Sequence, residues 1–121
     1  MALFQVTDET RGMLVADRVV VADTEMSRMV GLLGKRGLGA GEGLWIKPSS
    51  GVHTVGMKFP IDVIGLDSKL RVIKLWEDLV PWRVTSLSFK MRSVVELPAG
   101  AIRAGQVQLG DTLKISPVSE A

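Results

Sequence analysis

Short apolar runs rich in β-branched residues recur from Leu3 to Ser116, each broken off by glycine, proline or aspartate, and they restrict this chain to a predominantly β fold. Leu3 to Thr7 and Met13 to Val21 read as two strands joined at the polar corner Asp8-Glu9-Thr10-Arg11-Gly12. They form an opening hairpin in which Val19-Val20-Val21 suits a pleated, half-buried surface. Gly43 to Lys47 is a short strand closed by Pro48. Pro60 to Leu66 and Leu70 to Trp76 make a second hairpin around Asp67-Ser68-Lys69. Ser93 to Leu97 and Thr112 to Ser116 complete the set. Pro81 cannot donate to a central ladder and interrupts the pattern at Val80-Pro81-Trp82-Arg83.

The period changes once. Met26, Met29, Val30 and Leu33 fall at i, i+3, i+4 and i+7, which predicts one principal helix over about 23–33 with that face turned to the core. Asp23 or Thr24 is its N-cap, Glu25 lies at the positive end of the helix dipole, and Gly34 before Lys35-Arg36 is its stop. Gly31 then lies inside the helix, where another backbone is expected to approach closely. A short second helix is expected at about 99–104, between Pro98 and Gly105. Five glycines crowd residues 34–43, but their spacing fits neither GxxxxGK[ST] nor GxGxxG and the stretch follows a helix instead of feeding one. It is a turn-rich connector. These elements predict a mainly β (α+β) fold: a single compact antiparallel β domain over residues 1–121, barrel-like or clip-like, curled around the principal helix.

Several function classes drop out on composition. Without cysteine there is no thiol nucleophile, Cys-ligated zinc or disulfide. The aromatics are three Trp and three Phe, so aliphatics and methionine must fill the core, with Met26, Met29, Met57 and Met91 as adaptable filler. The net charge is only +2, and the 15 Lys and Arg are spread along the chain without a polybasic run or a basic helix stripe, so no nucleic-acid partner is expected. No apolar run reaches the roughly 20 residues of a membrane span, and the N-terminal MALFQVTDETRGML lacks the basic region of a signal peptide. The expectation is a soluble, cytoplasmic protein with no membrane partner.

The segment Gly51 to Asp67 carries the densest chemistry, with the lone histidine His53 beside Thr54, Lys58 and Asp62. As a general base His53 needs an orienting partner, for which Asp62 and Glu96 are candidates. No GxSxG elbow or SxxK supplies a nucleophile, and no HxH, HExxH or EF-hand spacing supplies a metal site; no metal and no cofactor is expected. On a strand Asp62 shares a face with Ile64, opposite Ile61 and Val63. It either caps neighbouring amides, pairs with Lys58, Arg83 or Arg92, or forms the acidic wall of a cleft with His53. Glu96 points with Val94, just before Pro98-Ala99-Gly100, where it is expected to accept from amides at a helix start. Among the tryptophans, Trp82 is the surface candidate because Pro81 and Arg83 flank it in a loop.

Several pieces occur in a specific order: Arg28 with Gly31-Leu32-Leu33, then Glu42-Gly43-Leu44-Trp45-Ile46, then His53-Thr54-x-Gly56-Met57. Pro60-Ile61-Asp62-Val63-Ile64-x-Leu66-Asp67, Pro81-Trp82-Arg83, Val95-Glu96-Leu97-Pro98-Ala99-Gly100 and Gly110-Asp111 follow. This ordered set resembles the DUF192 family, also called UPF0127, of small uncharacterised proteins. The resemblance covers residues of about 15 to 116 and implies a compact, mainly β single domain with a short helix or two. It brings no reaction or ligand with it.

The functional expectation is therefore drawn from the residues. It is a small binding module with a shallow polar cleft formed by His53, Thr54, Lys58, Asp62, Trp82 and Arg83, in which Lys58 and Arg83 favour an anionic or hydroxylated small molecule. The alternative is a hydrolase or lyase using His53 as general base oriented by Asp62. A third is a protein-interaction domain with an exposed apolar patch around Trp82 or Trp76.

Overall fold

In a computed structural model that describes residues 2–118, the strand signals become seven strands among the described residues. They are β1 (Phe4–Asp8), β2 (Met13–Ala22), β3 (Glu42–Ile46), β4 (Ile61–Leu66), β5 (Val72–Leu79), β6 (Ser93–Pro98) and β7 (Leu113–Pro117). All seven lie in one sheet ordered β5-β4-β6-β3-β2-β1-β7. Both expected hairpins are present, β1 with β2 and β4 with β5. One pair departs from the antiparallel expectation: β2 and β3 run parallel. The physical reason is the connection, since the helix and the glycine-rich stretch between them form a crossover long enough to return the chain to its starting end.

The sheet curls until its two end strands meet. Arg71 bridges Thr112, Val72 N–H donates to the Asp111 carbonyl (2.8 Å), and Leu113 N–H donates to the Leu70 carbonyl (2.9 Å). A half-barrel with two unlike faces results. The concave side holds Val6, Val19, Ile64, Leu66, Val95 and Leu97, closed by Ile102 of the short helix α2 (Ala101–Ala104). The other face carries Leu44, Val63 and Val94, and is covered by Leu32 and by Val52, Met57 and Met91 from the two long loops. Met57 and Met91 are thus core filler as expected.

The principal helix α1 spans only Glu25–Val30, against the 23–33 expected. Thr24 caps it in a reciprocal box: Ser27 N–H donates to Thr24 Oγ1 and Thr24 N–H to Ser27 Oγ, both at 3.0 Å. It stops at Gly31, not Gly34, because Gly31 adopts φ 50° and ψ −124°, a conformation open only to glycine. That early stop turns the following residues under. Leu32 enters the core and Leu33 packs over Gly56, whereas Met26 (75% exposed), Met29 (74%) and Val30 are exposed, and no residue of α1 itself is buried. The periodicity located the helix, but its apolar face is not the buried one.

Candidate functional site

Beneath α1, on the loop-covered face of the sheet, lies a cavity of about 190 Å³, enough for roughly six waters or a ligand of that bulk. Met29, Leu32 and Leu33 form one wall, Val52 and Met57 another, and Ile46 and Glu96 belong to the sheet beneath. Arg28 and His53 supply its remaining charged and titratable groups. A larger hollow of about 440 Å³ lies on the other flank of α1 and shares Val30, Gly31 and Leu32 with the first, so α1 stands over the sheet with space on both sides.

Glu96 is the unusual member. Register places it between Leu44 of β3 and Val63 of β4, and directly opposed residues share a face, so its strand neighbours there are apolar. Only 3% of the residue is exposed. Desolvation pushes its carboxyl up to about 7 from the usual 4.5, and no donor among the described residues offsets it. Arg28 lines the same cavity, but its guanidinium donates to the Asp23 carbonyl (3.3 Å) and forms no ion pair with Glu96. Among the described residues, the buried side-chain polar atoms left without any partner are Asp8 Oδ2 and Trp45 Nε1; the Glu96 oxygens instead open to the cavity.

Asp62 lies elsewhere. It pairs with Leu97, one register step from Glu96, and so falls on the opposite face. Its fully buried carboxyl group accepts from Asp78 N–H (2.8 Å), Gly100 N–H (3.1 Å) and Ile102 N–H (2.9 Å), tying β5 and the start of α2 to β4. Asp62 is therefore a cap on neighbouring amides, and the structure does not bring it to the cavity that His53 lines. Conversely, the amides at the start of α2 that sequence assigned to Glu96 go to Asp62.

Of the other expected site residues, His53 is exposed at the cavity and bridges Val84. Thr54 is fully buried and serves as a staple: its hydroxyl donates to the Val80 carbonyl (2.7 Å) and accepts from Arg83 N–H (2.9 Å). These bonds lay residues 52–54 alongside 83–85 and bring His53, Trp82 and Arg83 into one neighbourhood. Trp82, at φ 66°, is two-thirds exposed, whereas Trp45 and Trp76 are half-buried against the two cores. Lys58 is exposed and does not line the cavity. Arg28 is not among the site residues expected from sequence, and Glu96 is expected there either as an acceptor for helix-start amides or as an orienting partner of His53. The available signal was an acid in the middle of Val94-Val95-Glu96-Leu97, a run too apolar for a solvated strand.

The model of the DUF192 family, described as an uncharacterized ACR, matches residues 6–115. A UPF0127 protein of Thermococcus kodakarensis is 28% identical over 120 residues, which is 95% of this chain and 75% of its own. A UPF0127 protein of Pyrococcus horikoshii is 29% identical over 114 residues, covering 90% of this chain and 96% of its own. Among solved structures, a protein of unknown function from Novosphingobium aromaticivorans superposes with TM-score 0.78 at 22% identity, over 92% of this chain and 82% of its own. A chain from Sinorhizobium meliloti, described as a candidate transcription regulator, does so with TM-score 0.78 at 21% identity, over 93% and 92%. At those identities the structural likeness concerns the fold alone.

Proposed function

The chain belongs to the DUF192 family, and from that premise we propose that it is a small-ligand binding domain whose cavity beneath α1 takes an anionic or hydroxylated molecule. One observation carries the reading: Glu96 is a buried acid without an internal partner among the described residues, opening into a cavity that Arg28 and His53 also line. A buried polar group left without a partner costs free energy, and a ligand hydroxyl or carboxyl group reaching the cavity floor supplies that partner. Below its shifted pKa the Glu96 carboxyl both donates and accepts, so it pairs with either class. Arg28 and His53 add the preference for negative charge. A cytoplasmic setting is part of the proposal, in keeping with a chain that uses no cysteine.

A thermal-shift and ligand-observed NMR screen of small hydroxy acids, sugars and phosphates tests it. Hits are expected that Glu96→Gln and Arg28→Ala each weaken by about tenfold or more. Hits indifferent to both substitutions would remove the cavity from the binding site.

A second reading rests on the pKa of Glu96. A carboxyl group poised near 7 suits general acid–base chemistry, with His53 lining the same cavity, so Glu96 takes the role that sequence gave to Asp62 in a hydrolase or lyase. Mass spectrometry of each hit after long incubation separates the two: turnover abolished by Glu96→Gln favours the enzyme, and unchanged ligand favours the binding domain.

A further inference from the structure

The 15 Lys and Arg look evenly spread in the linear chain, but folding sorts them. Three stretches build the lobe over the cavity: residues 26–33, 47–60 and 80–92. Together they hold Arg28, Lys58, Arg83, Lys90 and Arg92, with Lys47 turned away over the Trp45 ring (4.2 Å), and none of the 13 Asp and Glu. The nearest acids along the chain are Glu25, Glu42, Asp62 and Asp78, of which Asp62 is buried on the opposite face of the sheet, and Glu96 is buried underneath. The three stretches lie side by side. Leu33 packs over Gly56, Leu87 packs over Gly51, and His53 bridges Val84.

The same lobe exposes an unusual amount of apolar surface. Met26, Met29, Trp82, Val84 and Leu87 are each two-thirds or more exposed, and Phe89 is fully exposed beside Lys90. Isolated exposed hydrophobics need no explanation, but a group of this size within a stretch free of acids does. We infer that this lobe is a docking face for an anionic lipid bilayer, with Leu87 and Phe89 entering the interface and the basic side chains meeting the headgroups. Charge complementarity selects an anionic partner. Among anionic partners, nucleic acid offers stacking to Trp82 and Phe89 but little to the exposed aliphatic side chains, whereas the acyl boundary of a bilayer accommodates both. No helix among the described residues is long and apolar enough to cross a membrane, so the contact is peripheral. The inference stands independently of the role given to Glu96.

The test is co-sedimentation of the full chain with vesicles of phosphatidylcholine alone and of phosphatidylcholine mixed with phosphatidylserine. Binding to the mixed vesicles alone is expected, and it should weaken as salt is raised. Lys90→Glu with Arg92→Glu should reduce it by about 25-fold or more, since each basic residue near such a surface contributes about fivefold. Leu87→Ser with Phe89→Ser should reduce it by about tenfold or more, and both variants should keep the wild-type melting temperature. Arg103→Glu and Lys114→Glu, exposed bases outside the lobe, should bind as the wild type does. No sedimentation with mixed vesicles overturns the inference. So does equal binding to both vesicle types, full binding by the Leu87 and Phe89 variant, or retention of a single-stranded oligonucleotide in place of vesicles.

Discussion

Asp62 and Glu96 are two buried acids on adjacent strands, one register step apart, yet their surroundings are opposite. Asp62 faces the α2 side of the sheet, where three backbone amides converge on it; Glu96 faces the loop-covered side, where its strand neighbours are Leu44 and Val63. Burial alone therefore does not say what an acid does. An acid whose lone pairs are filled by the fold holds elements together. One left unfilled beside a cavity weakens the fold and is available to a ligand.

The largest test of that contrast is Asp62→Ala. It strips three amide donors of their acceptor at the joint of β4, β5 and α2 and should destabilise the domain by on the order of 3–5 kcal/mol in urea unfolding. A loss under about 1 kcal/mol would mean that the cap is dispensable and the contrast false.

Glu96→Gln should act in the opposite sense. The folded-state pKa of Glu96 is raised, so its contribution to stability is full below pH 4.5 and is lost as pH rises through about 7. The wild type should therefore weaken between pH 4.5 and 8 by on the order of 2–3 kcal/mol, and Glu96→Gln should remove most of that slope and be the more stable protein at pH 8. Asp8 adds a smaller slope of the same sign. Desolvation and the neighbouring Asp111 push its carboxyl from 3.8 to about 6, so some pH dependence should survive in the Glu96 variant until Asp8→Asn is added. Equal slopes in wild type and Glu96→Gln, followed by melting temperature, would show Glu96 to be partnered after all.

Smaller effects belong to α1, which stands over Glu96. Gly31→Ala places a side chain at φ 50° and should cost about 1–2 kcal/mol, with the cavity below altered enough to weaken any ligand that Glu96 holds. Met26→Ser and Met29→Ser should change stability by less than about 0.5 kcal/mol, because both side chains are three-quarters exposed. Leu32→Ala on the same segment should cost about 2 kcal/mol or more. A large loss at Met29 would restore the helix face that periodicity suggested.

Much of the fold was legible in the chain. Strand positions followed from β-branched runs and their punctuation, and both hairpins from the polar residues between paired runs. Thr24 was named as one of two possible caps, and its hydroxyl fills that place. The parallel pairing of β2 and β3 was not legible, because no local signal says where a crossover returns. Nor was the outward face of α1, since a three-turn period was assumed where Gly31 allows less than two. Of the residues expected to form the cleft, only His53 lines the cavity; Thr54 is a staple, Asp62 caps amides on the opposite face, and Glu96 and Arg28 line the cavity instead.

By itself the sequence determined that Asp62 is flanked in opposition by Ile61 and Val63, and Glu96 by Val95 and Leu97, because alternation along a strand is a property of the local backbone. Only the tertiary structure decided that those acids face opposite sides, and which side offers amides and which a cavity. The pairing of Val63 with Glu96 across strands 33 positions apart in the chain sets that choice. The same holds for charge: three acid-free stretches are visible in the sequence, but only folding lays them side by side into one basic and apolar face.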